Sequence, residues 1–406
     1  METGAAQPPA SHTRWAILAL VMVAQTMANV GPLGIPAIAP LIRESLGLSV
    51  AQAGSFVSAY YIGPVLMSLP AGWIADRWGV RGTMVAGQGL IALGLVAASA
   101  ATSFAALLPI MVAAGAGYGM LNPTTAKAVM SWFPRRQRAT VIGIKQMGLP
   151  LGGALGALAM PPIALALGWR GSVLVSAAAI AALALLTWML YRDPPDEREA
   201  PPPAAASESF QRVLANRDLW LVSISTLVYA GVQTVLMAFL VLYLTGHVGL
   251  PLVTAARYLV LAQLAGMTGR VAFGMLSDRL FDGRRRIVLV IAGTGSATCS
   301  LLVALTGTGR GLWLLAPLAL AFGLFGIGWN GVHQPLMAEL AGPRAAGTAV
   351  GLGLAVSSAG VTLCPPLFGL LVEAGGYPLA WALLALAMVP AVLLLVPVRE
   401  RRGALL

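Results

Sequence analysis

Long apolar runs, separated by short charged or Gly/Pro-rich breaks, recur from one end of this chain to the other. A run of about 20 apolar residues crosses the hydrocarbon core of a bilayer as a helix, because only a helix satisfies its own backbone donors and acceptors there. Dividing the sequence at its breaks predicts twelve such helices. In the first half they lie at 15–40, 52–74, 81–101, 104–132, 139–166 and 170–191. In the second they lie at 219–245, 253–276, 286–307, 311–340, 346–372 and 377–397. The first run, just after Arg14, is too long for a signal-peptide core and reads as a retained helix. One long polar connection, 192–218, holds Asp193-Pro194-Pro195-Asp196-Glu197-Arg198-Glu199 and Pro201-Pro202-Pro203. Its composition predicts a flexible linker between two units, 1–191 and 219–406.

Composition strengthens this picture. The 406 residues are 58% hydrophobic and only 10% charged, whereas soluble domains carry roughly 25% charged residues. The expected fold is therefore an all-α polytopic membrane protein with twelve transmembrane helices in two six-helix, pseudo-symmetric bundles. A net charge of +11 raises the question of nucleic acid, but the arginines sit in short loops rather than in a basic domain, so no nucleic-acid partner is expected. With the N-terminus inside, 18 of the 25 basic residues fall on the cytoplasmic side and four (Arg43, Arg170, Arg257 and Arg310) fall outside. The positive-inside rule then places both termini in the cytoplasm of an inner-membrane, multi-pass protein. Cys299 and Cys364 lie singly inside apolar runs, so neither a disulfide framework nor a metal site follows. No nucleotide loop, metal-ligand spacing or G-x-S-x-G elbow is present, so neither an enzyme nor a cofactor is expected.

The halves repeat each other. Gly72-Trp73-Ile74-Ala75-Asp76-Arg77 recurs as Gly274-Met275-Leu276-Ser277-Asp278-Arg279. Gly115-Ala116-Gly117-Tyr118-Gly119 before Asn122 recurs as Gly326-Ile327-Gly328-Trp329 before Asn330. Thr140-Val141-Ile142-Gly143 recurs as Thr348-Ala349-Val350-Gly351. Parallel six-helix repeats place a substrate site at mid-membrane between them.

The segment Gly72-x-x-x-Asp76-Arg77-x-Gly79-x-Arg81 resembles the signature loop between helices 2 and 3 of the major facilitator superfamily, and Gly274-x-x-x-Asp278-Arg279 its second-half copy. The resemblance, which covers nearly the whole chain, implies a secondary transporter in which these residues govern conformational switching. Two departures stand out. The arginine that many members carry in the fourth helix is absent from Met111-Val112-Ala113-Ala114-Gly115. Gly148-Leu149-Pro150-Leu151-Gly152-Gly153 only loosely resembles the fifth-helix motif of antiporting exporters.

Charge inside the membrane is costly and marks pathways and binding sites. Three cations, Lys127, Lys145 and Arg270, fall within predicted helices, while no acidic residue falls at mid-depth. Their natural counter-ion is the cargo, which favours a small organic anion. Arg270-x-x-x-Gly274 resembles the eighth-helix arginine of monocarboxylate and oxalate/formate-type transporters, which contacts the substrate carboxylate. The oxalate/formate type pairs it with an eleventh-helix lysine that this chain lacks; Lys145, at the repeat-related place in the fifth helix, is the substitute. Lys127 has the alternative of snorkelling to the cytoplasmic interface. Asn29, Tyr60, Tyr118, Asn122, Gln146, Tyr229, Trp329, Asn330 and His333 complete the candidate pocket, with Gln25, Tyr61, Gln233 and Gln263 at comparable depth. His333 is either a proton carrier or a hydrogen-bonded structural residue.

The expected activity is alternating-access transport of a small carboxylate, by proton coupling or anion exchange, in a protein functional as a monomer. Drug or metabolite efflux is the alternative within transport. A non-transporting membrane receptor is the alternative outside it.

Overall fold

The computed structural model describes residues 11–67, 70–133, 135–193, 211–306, 312–342 and 345–400. The expected linker falls mainly on 194–210, outside the described residues. Among the described residues, besides a helical stretch at 211–215, twelve α-helices follow one another: α1 Ser11–Leu46, α2 Val50–Met67, α3 Pro70–Ala100, α4 Phe104–Trp132, α5 Arg135–Gln146, α6 Gly148–Leu190, α7 Arg217–Gly246, α8 Leu252–Leu280, α9 Arg285–Leu305, α10 Leu315–Gly328, α11 Asn330–Ala341 and α12 Ala346–Leu395.

These twelve helices do not map one to one onto the twelve spans. The stretch Val141–Leu190, formed by the end of α5 and all of α6, and α12 are 50 residues each, about twice the length that a bilayer needs. Both are interrupted by a glycine with positive φ, Gly168 (73°) and Gly376 (78°), and Gly79 (73°) interrupts α3 in the same way. A side chain at such φ values is strained, so glycine marks the reversal. The chain therefore turns at these points. The first stretch of α3 continues α2 as the second span, and the rest of α3 is the third. The fifth span is α5 with the first part of α6, and the tenth is α10 with α11. Large apolar side chains such as Leu93, Leu167, Leu190, Leu305 and Leu386 are exposed around the outside, where lipid is the solvent.

Each half buries its own apolar core. One runs from Ile17 to Tyr191 within the first half. The other runs from Val213 to Val398 and takes in Ala37, Ala39, Ala53, Val57 and Ala157 from the first. Those five residues lie toward the end of the molecule that carries the α1–α2 turn. At that same end Ala51 packs on Gly369, Gly54 on Phe239, and Ser58 Oγ donates to the Val361 carbonyl at 3.3 Å. The two halves are thus zipped together at the α1–α2 end.

The opposite end carries a repeated device. Asp193, just past the sixth span, accepts the backbone N–H groups of Val80 and Arg81 at 3.0 and 3.2 Å. Glu400, just past the twelfth, accepts that of Arg286 at 2.8 Å. In each half an acid after the last span caps the third span, whose first N–H groups lack intrahelical partners. Asp193→Ala and Glu400→Ala are each expected to destabilise the folded protein by about 0.5–2 kcal/mol, the usual cost of a lost helix cap. Thermal unfolding in detergent reads this directly, and unchanged melting temperatures would show that the caps contribute nothing.

Candidate functional site

Aromatic and amide side chains of α1, α2 and α4 converge at mid-molecule in the first half. Gln25 Nε2 donates to the Tyr118 hydroxyl at 2.9 Å, and the Thr125 hydroxyl lies 3.3 Å from Gln25 Oε1. Asn29 Nδ2 donates to the Gln25 carbonyl at 2.7 Å. Tyr60 lies against both Tyr61 and Tyr118, with ring centroids 5.7 and 5.8 Å apart. Lys145, only 1% exposed, donates to the carbonyl and side-chain oxygens of Asn122 at 2.9 and 2.6 Å. Two residues that the sequence singles out separately are therefore bonded to each other. Thr125, in turn 2.9 Å from the Asn122 carbonyl, links this pair to the Gln25–Tyr118 pair.

Arg270 enters this cluster from the other half. Its guanidinium, on α8, acts electrostatically on the hydroxyls of Tyr61 and Tyr118. No carboxylate acts on it among the described residues. Its Nε is buried without a hydrogen-bond partner, as are Asn29 Oδ1, the Tyr60 hydroxyl and both polar atoms of Gln263. A buried polar group left unpaired costs about 1–3 kcal/mol, and these five atoms on α1, α2 and α8 can bond a polar ligand.

The second half builds a related network. Gln233 Oε1 accepts from Trp329 Nε1 at 3.1 Å and from Asn330 Nδ2 at 2.7 Å. Trp329 packs edge-on to Tyr229, 5.7 Å between centroids, and lies 5.3 Å from His333. The Tyr229 hydroxyl donates to the Leu289 carbonyl at 2.7 Å, which turns its polar end toward α9. His333, buried, has Nε2 3.4 Å from the Thr226 hydroxyl, and Ser357 donates to that same hydroxyl at 3.3 Å. Aligning Asn122 with Asn330 and Thr140 with Thr348 places Gly353 opposite Lys145, and the His333 imidazole packs over Gly353.

Lys127 is exposed. Gln146, half-buried, directly follows Lys145 at the end of α5. Of the expected switch residues, Gly72 and Asp76 have side chains outside the described residues. Arg77 lies over the Trp73 ring at 5.8 Å and Arg81 over the Trp188 ring at 3.9 Å. Arg81 thereby ties the third span to the sixth through a cation–π contact. Gly274 is open to its surroundings and Arg279 is exposed. Asp278 and Glu339 share Arg285, at 3.5 and 2.7 Å. No group of His, Cys, Asp and Glu that could hold a metal occurs among the described residues.

The family model of the Major Facilitator Superfamily matches residues 15–353. An uncharacterized MFS-type transporter of Mycobacterium tuberculosis is 30% identical over 395 residues, which cover 97% of this chain and 86% of that protein. A protein described as the probable sulfoacetate transporter SauU of Cupriavidus necator is 28% identical over 390 residues, covering 90% and 88%. Among solved structures, a bacterial homolog of the human lysosomal transporter Spinster, in an inward-facing and unoccupied conformation, superposes with a TM-score of 0.76 at 21% identity over 95% of each chain.

Proposed function

Because this chain belongs to the major facilitator superfamily, whose members are multi-pass membrane transporters and not enzymes, we propose that it carries a small organic anion across the cytoplasmic membrane by alternating access. The observation that carries this reading is Arg270: a guanidinium delivered by the second half to the tyrosines of the first, with no carboxylate beside it among the described residues. A guanidinium binds a carboxylate or sulfonate through two parallel N–H donors. The Tyr60 hydroxyl and Gln263 Nε2, both unpaired donors, stand ready to bond the remaining oxygens. The relative described as a probable sulfoacetate transporter, a cargo with both a carboxylate and a sulfonate, supports the same cargo class.

In this reading the bundles 1–191 and 219–406 rock about the site, joined by the 192–218 linker. Both termini face the cytoplasm and the monomer is the working unit. Lys145 holds Asn122 in place and offers its remaining N–H to the anion. The driving force is a co-transported proton, carried by the cargo's own acid group or by His333, or else exchange for a second anion. Purified protein in liposomes, offered a panel of labelled mono-, di- and sulfocarboxylates with and without a proton gradient, is expected to accumulate one class above protein-free liposomes. Uptake of none of them, in protein that binds neutral or cationic compounds, would refute the reading.

A further inference from the structure

Glu373 belongs to the second half, three residues before the Gly376 turn, yet its Oε1 accepts the backbone N–H of Ala51 in the first half at 2.8 Å. The start of α2 explains why that donor is available. Ser49 and Gln52 form a reciprocal capping box: Gln52 N donates to Ser49 Oγ at 3.2 Å and Ser49 N to Gln52 Oε1 at 3.0 Å. The box engages the N–H groups of residues 49 and 52 and leaves that of Ala51, a first-turn donor with no intrahelical partner. The other half supplies the acceptor.

This bond lies in the seam between the two halves. Gly369, one turn before Glu373 and on the same face of α12, packs directly on the Ala51 backbone. Gly54 and Ser58, successive turns along the same face of α2, meet Phe239 and Val361. The seam is therefore a stripe of small residues with a carboxylate at its rim. Arg43, at the end of α1, adds its attraction to that carboxylate, and the N-terminal end of α2 adds its own positive partial charge.

We propose that Glu373 is the latch of the outer mouth: its bond to α2 holds the two halves together at the α1–α2 end and has to break each time the cavity opens outward. A contact made in only one of two conformations biases their equilibrium by its own free energy. This inference rests on alternating access and on the cytoplasmic placement of the termini, but not on the identity of the cargo.

The test is made without substrate. In a background of Cys299→Ala and Cys364→Ala, Ser58→Cys places a thiol in the seam, where residue 58 is 3% exposed. A membrane-impermeant maleimide added to intact cells labels it only when the mouth opens outward. Adding Glu373→Ala is expected to raise the labelling rate about twofold to thirtyfold, the population shift that corresponds to losing a helix cap. Glu373→Gln, which keeps an acceptor oxygen but no charge, is expected to fall between. Gly369→Val, whose side chain meets Ala51, should raise labelling with Glu373 intact. Unchanged labelling in a monodisperse Glu373→Ala protein would overturn the latch. Labelling confined to inside-out vesicles would overturn its assignment to the outer mouth. Failure of the anion reading in liposomes would leave both labelling results standing.

Discussion

Arg270→Gln is expected to abolish transport of the anion and to weaken equilibrium binding by roughly 30-fold to several thousand-fold, the equivalent of about 2–5 kcal/mol for a buried charged hydrogen bond. The expectation follows from what acts electrostatically on the guanidinium: the hydroxyls of Tyr61 and Tyr118, and no acid among the described residues. Arg270→Lys keeps the charge but loses the planar fork, so it is expected to bind more weakly than the parent and more tightly than the Gln variant. Thermal stability should change little, because removing a buried charge that lacks a protein counter-ion also removes its desolvation cost. Binding of labelled anion to purified variants, measured alongside their melting curves, separates the two effects. A Gln variant that unfolds, while its folded fraction binds anion normally, would make Arg270 structural and leave the carboxylate reading without its main support.

Gly115→Val is expected to have the largest effect on the fold. The second and fourth spans cross with backbone against backbone: a Cβ on Gly115 runs into the Tyr60 carbonyl, and one on Gly63 runs into the Gly115–Ala116 peptide. Neither obstacle is a flexible side chain, so the helices have to move apart. Overpacking of this kind typically costs about 1–3 kcal/mol and occasionally more. The crossing also sets the spacing of Tyr60, Tyr61 and Tyr118, so binding should fall together with melting temperature. Gly89→Ala is the matched control, because a Cβ there meets nothing within 4 Å; surface changes of this kind stay within about 0.5 kcal/mol. Equal melting temperatures for the two variants would show that the crossing is not tight.

The spans were legible in the sequence because each must present about 20 apolar residues to lipid, and that demand leaves a run that no other fold needs. Their breaks were legible as well: the gaps at 75–80, 167–169 and 373–376 contain the reversals at Gly79, Gly168 and Gly376. The helix ends at 67–70, 146–148 and 328–330, which fall inside single spans, left no such signal. Within the site, the buried charges stood out because a lysine or arginine in an apolar run is rare. Their partners did not. The bond from Lys145 to Asn122 joins residues 23 positions apart on different helices, and hydrophobic periodicity carries no information about such pairings. Thr125, Thr226 and Ser357 escaped notice for the same reason, since small hydroxyls are common in membrane helices. Asp193, Glu373 and Glu400 were invisible as a group: each is an acid in or beside a loop, and only the fold shows which helix start it reaches.

Arg270 also makes the empty transporter an electrical object. A guanidinium is permanently charged, and the described residues offer it no carboxylate. A bound monoanion cancels that charge, so the loaded site carries one positive charge fewer than the empty one. The unloaded site takes the guanidinium's charge through whatever part of the field its reorientation spans. A full crossing is worth about 2.3 kcal/mol per charge per 100 mV. In the proposed cycle, with the termini in the cytoplasm and the cell interior negative, the voltage draws the empty site toward the cytoplasm, the orientation in which the α1–α2 end stays zipped. On that proposal the resting potential falls on the return step and biases an idle carrier toward facing inward before any cargo arrives.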